Sequence, residues 1–151
     1  MNAPAPLVWT DALLLGYSAM DRMHEDFVQT VQALRDAPDD QLAQALARVR
    51  DHLETHFGQE DQWMRDTDFP PRDCHIDEHA AVLNSVREVQ ALLAQGGHAD
   101  TCRGLADELA RWFPGHADYL DSALAAWLFK RQHGGKPVVV RRTITSGEPA
   151  S

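Results

Sequence analysis

Met20, His24, Phe27, Val31 and Leu34 follow one another at spacings of four and three in alternation, a rhythm that only a helix presents on a single face. The same rhythm returns as Leu42, Leu46, Val49, Leu53, His56, Glu60 and Trp63, as His75, His79, Val82, Val86, Val89 and Leu93, and as Leu105, Leu109, Trp112 and His116. What most constrains the fold is the placement of histidines and carboxylates on these stripes, where an apolar residue belongs. A buried histidine or carboxylate without a partner costs several kcal/mol. Four such stripes therefore pack together only if their polar members meet and share something to bind.

The segments between the stripes are short and built to break helices. The first helix is expected from about Tyr17 to Asp36, stopped by Pro38. Asp39 and Asp40 suit the N-terminus of the second. Asp66-Thr67-Asp68-Phe69-Pro70-Pro71 is a turn, with the third helix starting near Pro71 and ending at Gln95-Gly96-Gly97. The fourth begins at Asp100 or Thr101. Its phase breaks after His116, because Asp121 lies five residues on and an ideal helix would carry it about 140° away. A one-residue π-bulge restores the stripe to Asp121, Leu124 and Leu128. Pro114 inside this helix predicts a local distortion but not a helix end.

Four helices joined by such turns predict an all-α, up-down-up-down four-helix bundle over residues 17–132, with an N-terminal arm over 1–16 and a short flexible tail over 133–151. Short connections also let depth be counted from each turn. His56 and Glu60 lie about 10 and 6 residues back from the second turn, and His75 and His79 about 4 and 8 residues beyond it. Counted from the third turn, His116 and Asp121 reach the level of His79 and His75; counted from the first, His24 falls about one turn from His56 and Glu60, an offset that loop geometry absorbs. Seven side chains, His24, His56, Glu60, His75, His79, His116 and Asp121, are thus expected in one core layer. Seven donors exceed one tetrahedral zinc and suit two octahedral-tending ions bridged by carboxylates, with two irons the best fit. The chain has no Glu-x-x-His, the motif of the carboxylate-rich ferritin-like di-iron bundles. His98 and His133 are read as ordinary histidines; His52, one turn before His56, is a spare candidate.

The formal charge of −9 argues against a nucleic-acid or anionic-membrane partner. No apolar run approaches the ~20 residues of a membrane span and no basic and apolar leader opens the chain, so a cytoplasmic setting is expected. Cys74 and Cys102 are read as reduced thiols.

As an ordered set, Trp9 followed by Gly16, Met20-Asp21-x-x-His24, His56-Phe57-x-x-Glu60, His75-x-x-x-His79 and Trp112-x-x-x-His116-x-x-x-x-Asp121 resembles the hemerythrin family, in its bacterial single-domain form, from about Trp9 to Phe129. The resemblance implies that His75, His79 and His116 fill the coordination of one iron and that His24 and His56 hold the other. It implies too that Glu60 and Asp121 bridge the ions (Fe2+/Fe3+) together with an oxo or hydroxo group. The second iron then keeps an open position for O2, which small anions such as azide can also take. Reversible O2 binding for transport, storage, delivery or sensing is the function implied, and not an enzymatic one. The alternatives are a di-iron enzyme reducing peroxide or nitric oxide, and a helical interaction module holding zinc or no metal; the protein partner that sensing would need is left unknown. Phe27, Phe57, Trp112 and Ala117 are expected to line the O2 pocket and keep it dry. Tyr119 is the nearest protonic side chain and is read as a tyrosine at the bundle rim. Two departures stand out: Ala117 where the family usually has a bulky aliphatic, and Pro114-Gly115 in place of ordinary helix formers. Both predict a leakier pocket and faster autoxidation.

Overall fold

The computed structural model describes residues 5–134 and residue 139. Four helical rods, with no strand among the described residues, make up the fold. They are α1 (Ser18–Asp36), α2 (Leu42–Asp66), α3 (Arg72–Ala94) and a last rod in which α4 (Ala99–His116) passes through a π turn at Ala117–Asp121 into α5 (Ser122–His133). The rods close a square: α1 packs on α2 and α4, and α3 on α2 and α4.

Each rod ends where its residues dictate. Asp68 takes a positive φ of 51° in the turn after α2, a conformation that a short polar side chain tolerates, and Phe69 N–H then bonds back to Met64 O at 2.9 Å. Gly96 and Gly97 follow α3 at φ 86° and 80°, and Gly134 closes α5 at 75° with its N–H on Lys130 O. The last helix therefore includes His133, one residue more than expected, and the tail beyond Gly134 lies, apart from residue 139, outside the described residues.

The arm is tied to α1 by the Asp21 side chain, whose carboxylate accepts Leu15 N–H at 2.8 Å and Gly16 N–H at 3.1 Å. Gly16 sits at φ 89°, which lets the chain turn sharply into α1. Leu7 is buried against the bundle, and Trp9 and Leu13 pack half-buried beside it.

Helicity persists through Pro114, and the distortion falls just beyond it, in the π turn expected between His116 and Asp121. The stripe of the last rod is rotated from the expected one. Cys102, Ala106, Leu109, Phe113 and His116 are buried, whereas Leu105 and Trp112 are only half-buried. Small residues here let α4 approach its neighbours and leave Trp112 at the edge. In α2, likewise, Met64 takes the core position expected of Trp63.

The apolar core has two parts. One gathers Phe27, Val31, Leu46, Leu53, Phe57, Val86 and Phe113 with others; the second gathers Met20, Met64, Phe69, Leu124, Ala125 and Leu128. Between them along the rods lies a layer of buried polar side chains.

Candidate metal centre

The layer holds the seven side chains that the depth count brings to one level. His24 comes from α1, His56 and Glu60 from α2, His75 and His79 from α3, His116 from α4 and Asp121 from the π turn, none more than 4% exposed. Helix periodicity aims each pair inward, since residues four apart lie one above the other on one face. The π turn does the same for His116 and Asp121, which are five apart.

The ligand-type atoms fall into two overlapping groups. Glu60, His75, His79, His116 and Asp121 each offer one atom, all within 4.8 Å of one another, and so do His24, His56 and Glu60. Each carboxylate faces both ways. Glu60 Oε2 lies 2.8 Å from His56 Nε2 and 3.3 Å from His24 Nε2, while its Oε1 lies 3.3 Å from His79 Nε2. Asp121 Oδ2 lies 3.0 Å from His24 Nε2, and its Oδ1 lies 2.9 Å from His75 Nε2 and 3.2 Å from His116 Nε2.

Several of these close approaches lack hydrogen-bond geometry. His24 Nε2, His75 Nε2, Glu60 Oε1 and both Asp121 oxygens are buried with no hydrogen-bond partner among the described atoms, although each has an opposite ligand atom nearby. His79 Nε2 and His116 Nε2 face each other at 3.2 Å, so at least one must carry a proton or both must share a cation. Buried polar atoms are normally satisfied, and this many left unpaired around one point is the pattern of a cation site. The donor set of imidazole and carboxylate fits zinc or iron-like ions.

The electrostatics agree. Burial opposes a charged His24, but Asp121 and Glu60 outweigh it and raise this imidazole to about 10. Burial likewise opposes charge on His79, yet Asp61 and then Glu60 raise it to about 9. Burial disfavours ionised Glu60 too, and His56, His24 and His79 still hold it well below the usual carboxylate range. For Asp121, burial and the neighbouring Glu60 charge are overcome by His116, His24 and His75, and its carboxyl is also depressed. The layer is negative enough to retain protons on buried rings, and a divalent ion would meet the same attraction.

Behind the ligand-type atoms stand Asp61 and Glu78, which the sequence did not single out, and the spare candidate His52. Asp61 Oδ1 lies 2.7 Å from His79 Nδ1. Glu78 Oε1 lies 3.4 Å from His116 Nδ1 and accepts Trp112 Nε1–H at 2.7 Å. His52 Nε2 lies 3.0 Å from His56 Nδ1. Asp61 and Glu78 each adjoin a stripe residue, Glu60 and His79, which is the signal that was there to find.

Around the layer the rings pack tightly. Phe57 stacks on His79 at 4.1 Å, Trp112 stacks on His116 at 4.3 Å, and Phe27 lies 6.3 Å from His56. Phe113, absent from the expected pocket, meets His24 edge-on at 5.2 Å and stacks on Phe27 at 4.5 Å. Ala117 is buried beside His116, whereas Tyr119 is 81% exposed.

A square of four antiparallel helices with one internal layer of histidines and shared carboxylates defines a metal-binding helical bundle. Residues 15–128 match the hemerythrin HHE cation binding domain, and the chain belongs to that family. It is 40% identical over 123 residues to a bacteriohemerythrin of Ralstonia nicotianae, an alignment covering 82% of this chain and 89% of that protein. It is also 26% identical over 143 residues to a bacteriohemerythrin of Stenotrophomonas maltophilia, covering 87% and 92% respectively. No helix among the described residues is long and apolar enough to cross a membrane.

Proposed function

We propose that this chain binds O2 reversibly at a pair of iron ions held by His24, His56, Glu60, His75, His79, His116 and Asp121. The observation that carries the reading is that Glu60 and Asp121 each turn one oxygen toward each group of histidines. Two carboxylates so placed serve two adjacent ions better than one. His75, His79 and His116 would hold one ion and His24 and His56 the other, which leaves the second with fewer protein donors and room for a diatomic ligand or a small anion such as azide. When bound, the iron pair supplies the two electrons that reversible O2 uptake requires.

The chain's own residues do the rest. Asp61 and His52 fix ring orientations from behind, and the Glu60 and Asp121 carboxylates would cancel half of the charge of two divalent ions inside the bundle. Phe27, Phe57, Phe113 and Trp112 exclude water and with it the protons and reductants that would divert binding toward turnover. Residues 17–132 form the unit that does this and residues 1–16 its arm. We assign a cytoplasmic setting, supported by Cys74 and Cys102 standing as free thiols.

The test is iron per chain, with the absorption spectrum recorded after dithionite, after air, and after air is withdrawn. The expected result is about two irons and a charge-transfer band that comes and goes with O2. A colourless protein without iron overturns the reading in favour of an interaction module. Multiple-turnover consumption of peroxide or nitric oxide with a reductant overturns it in favour of an enzyme.

A further inference from the structure

The rings of the layer are backed unequally. His79 Nδ1 is hydrogen-bonded to the Asp61 carboxylate at 2.7 Å, and His116 Nδ1 has the Glu78 carboxylate at 3.4 Å without a hydrogen bond; both belong to the group around His75, whose own Nδ1 has no hydrogen-bond partner among the described atoms. In the other group, His24 Nδ1 has no hydrogen-bond partner among the described atoms, and His56 Nδ1 meets only another imidazole, that of His52 at 3.0 Å. His52 is one helical turn before His56 and is held edge-on to it, ring centroids 5.0 Å apart at 78°, with Phe27 at 6.0 Å on another side. Its half-buried ring lies at the boundary between the layer and solvent.

With His56 Nε2 turned inward, an ion bound there in place of the Glu60 contact would leave the proton of this ring on Nδ1, where His52 Nε2, 3.0 Å away, can accept it. An imidazole acceptor brings no negative charge, so it fixes the tautomer of His56 without adding the basicity that a carboxylate confers on a ligand ring. We propose that His52 is a positioning residue for the His24–His56 half of the centre, which has fewer protein donors and no carboxylate behind its rings, and that it supports the affinity of that weaker metal site. The half backed by Asp61 and Glu78 fills first. The His24–His56 half fills second, with an affinity set through the His52–His56 contact. This inference rests on the two-ion reading above.

The experiment titrates Co2+ into the chelator-treated full chain, following heat by calorimetry and ligand field by visible absorption, for the parent, His52→Leu, His52→Gln and His52→Glu. The parent is expected to take two ions in two phases. His52→Leu should weaken the second phase by about 10–100-fold, the usual effect of losing a partner behind a ligand ring, and change its Co2+ spectrum while the first phase stays put. His52→Gln keeps a carbonyl acceptor and should stay within about threefold of the parent, and His52→Glu should tighten the second phase. Far-UV circular dichroism and melting of each metal-free variant check that the bundle is intact. An unaffected second phase in His52→Leu overturns the proposal, as does joint weakening of both phases or a His52→Gln variant no better than His52→Leu. A parent that binds a single Co2+ per chain overturns instead the two-ion reading on which it stands.

Discussion

Raising the pH should unfasten the metal-stripped bundle and leave the loaded one nearly untouched. His24 and His79 are raised from an unfolded value of 6.5 to about 10 and about 9, against the pull of burial, by Asp121, Glu60 and Asp61. A group whose folded pKa exceeds its unfolded one stabilises the fold fully below the unfolded value and loses that contribution as pH climbs to the folded value. Between pH 6.5 and about 9 the stripped protein should therefore lose stability. At 1.36 kcal/mol per unit, His79 alone accounts for roughly 3 kcal/mol. His24 leans on the same Glu60, so its contribution overlaps with this and does not simply add. A loss of roughly 3–5 kcal/mol corresponds to a fall in Tm of about 6–20 °C for a chain of this size. Glu60 and Asp121 act on the other flank: their depressed values stabilise the fold above the ordinary carboxylate range and lose that effect in acid. The stripped protein should thus be most stable near pH 5–6.5. A bound ion replaces these protons, so loading with metal should flatten the alkaline slope, and metal affinity should rise with pH. Thermal or urea melts at pH 6, 7.5 and 9, at constant ionic strength and with and without metal, measure both effects. Stability of the stripped chain that stays level or rises from pH 6.5 to 9 would refute the reasoning, because the buried rings could not then be holding those protons.

Glu60→Gln keeps the shape of the side chain but removes the charge that faces both histidine groups, and iron content measured by mass spectrometry should fall from about two per chain to one or fewer. Ala117→Leu adds bulk beside His116 at a cost of about 1–3 kcal/mol from overpacking, and the colour of the air-equilibrated protein should persist several-fold longer, timed by its absorption band. Asp21→Ala strips the acceptor from Leu15 and Gly16 N–H and should lower stability in denaturant by about 1–2 kcal/mol with metal content unchanged.

The sequence was informative where periodicity and chemistry agree. His24, His56, Glu60, His75, His79 and His116 lie on stripes of alternating three and four, so their face follows from counting, as does the level of all but His24, which the count leaves about one turn away; Asp121 joins them through a bulge that the broken phase announces. What escaped lies off the stripes. Asp61 and Glu78 sit on helix flanks and reach a ring on a neighbouring rod; their places beside Glu60 and His79 put them near the layer, but a single helix period does not show which ring each meets. The exchange of Trp112 for Phe113 in the core has a similar cause: α4 buries Cys102, Ala106 and Ala110, whose small side chains weigh little in an apolar pattern yet decide which face packs inward. His52 was visible as a histidine one turn from His56, but only its 3.0 Å approach gives it a role.

The π turn at Ala117–Asp121 amounts to a single inserted residue absorbed within one coil of a helix. In the terms of a reading frame, the rod on either side keeps its own register, and the shift is confined to the point where Asp121 must look inward. Deleting one residue from this coil would restore an ordinary helix while rotating all of α5 by about 100° relative to α4, taking Leu124 and Leu128 off their shared face with Met20 and Met64. This coil is therefore what lets His116 above it and the apolar stripe of α5 below it face one core.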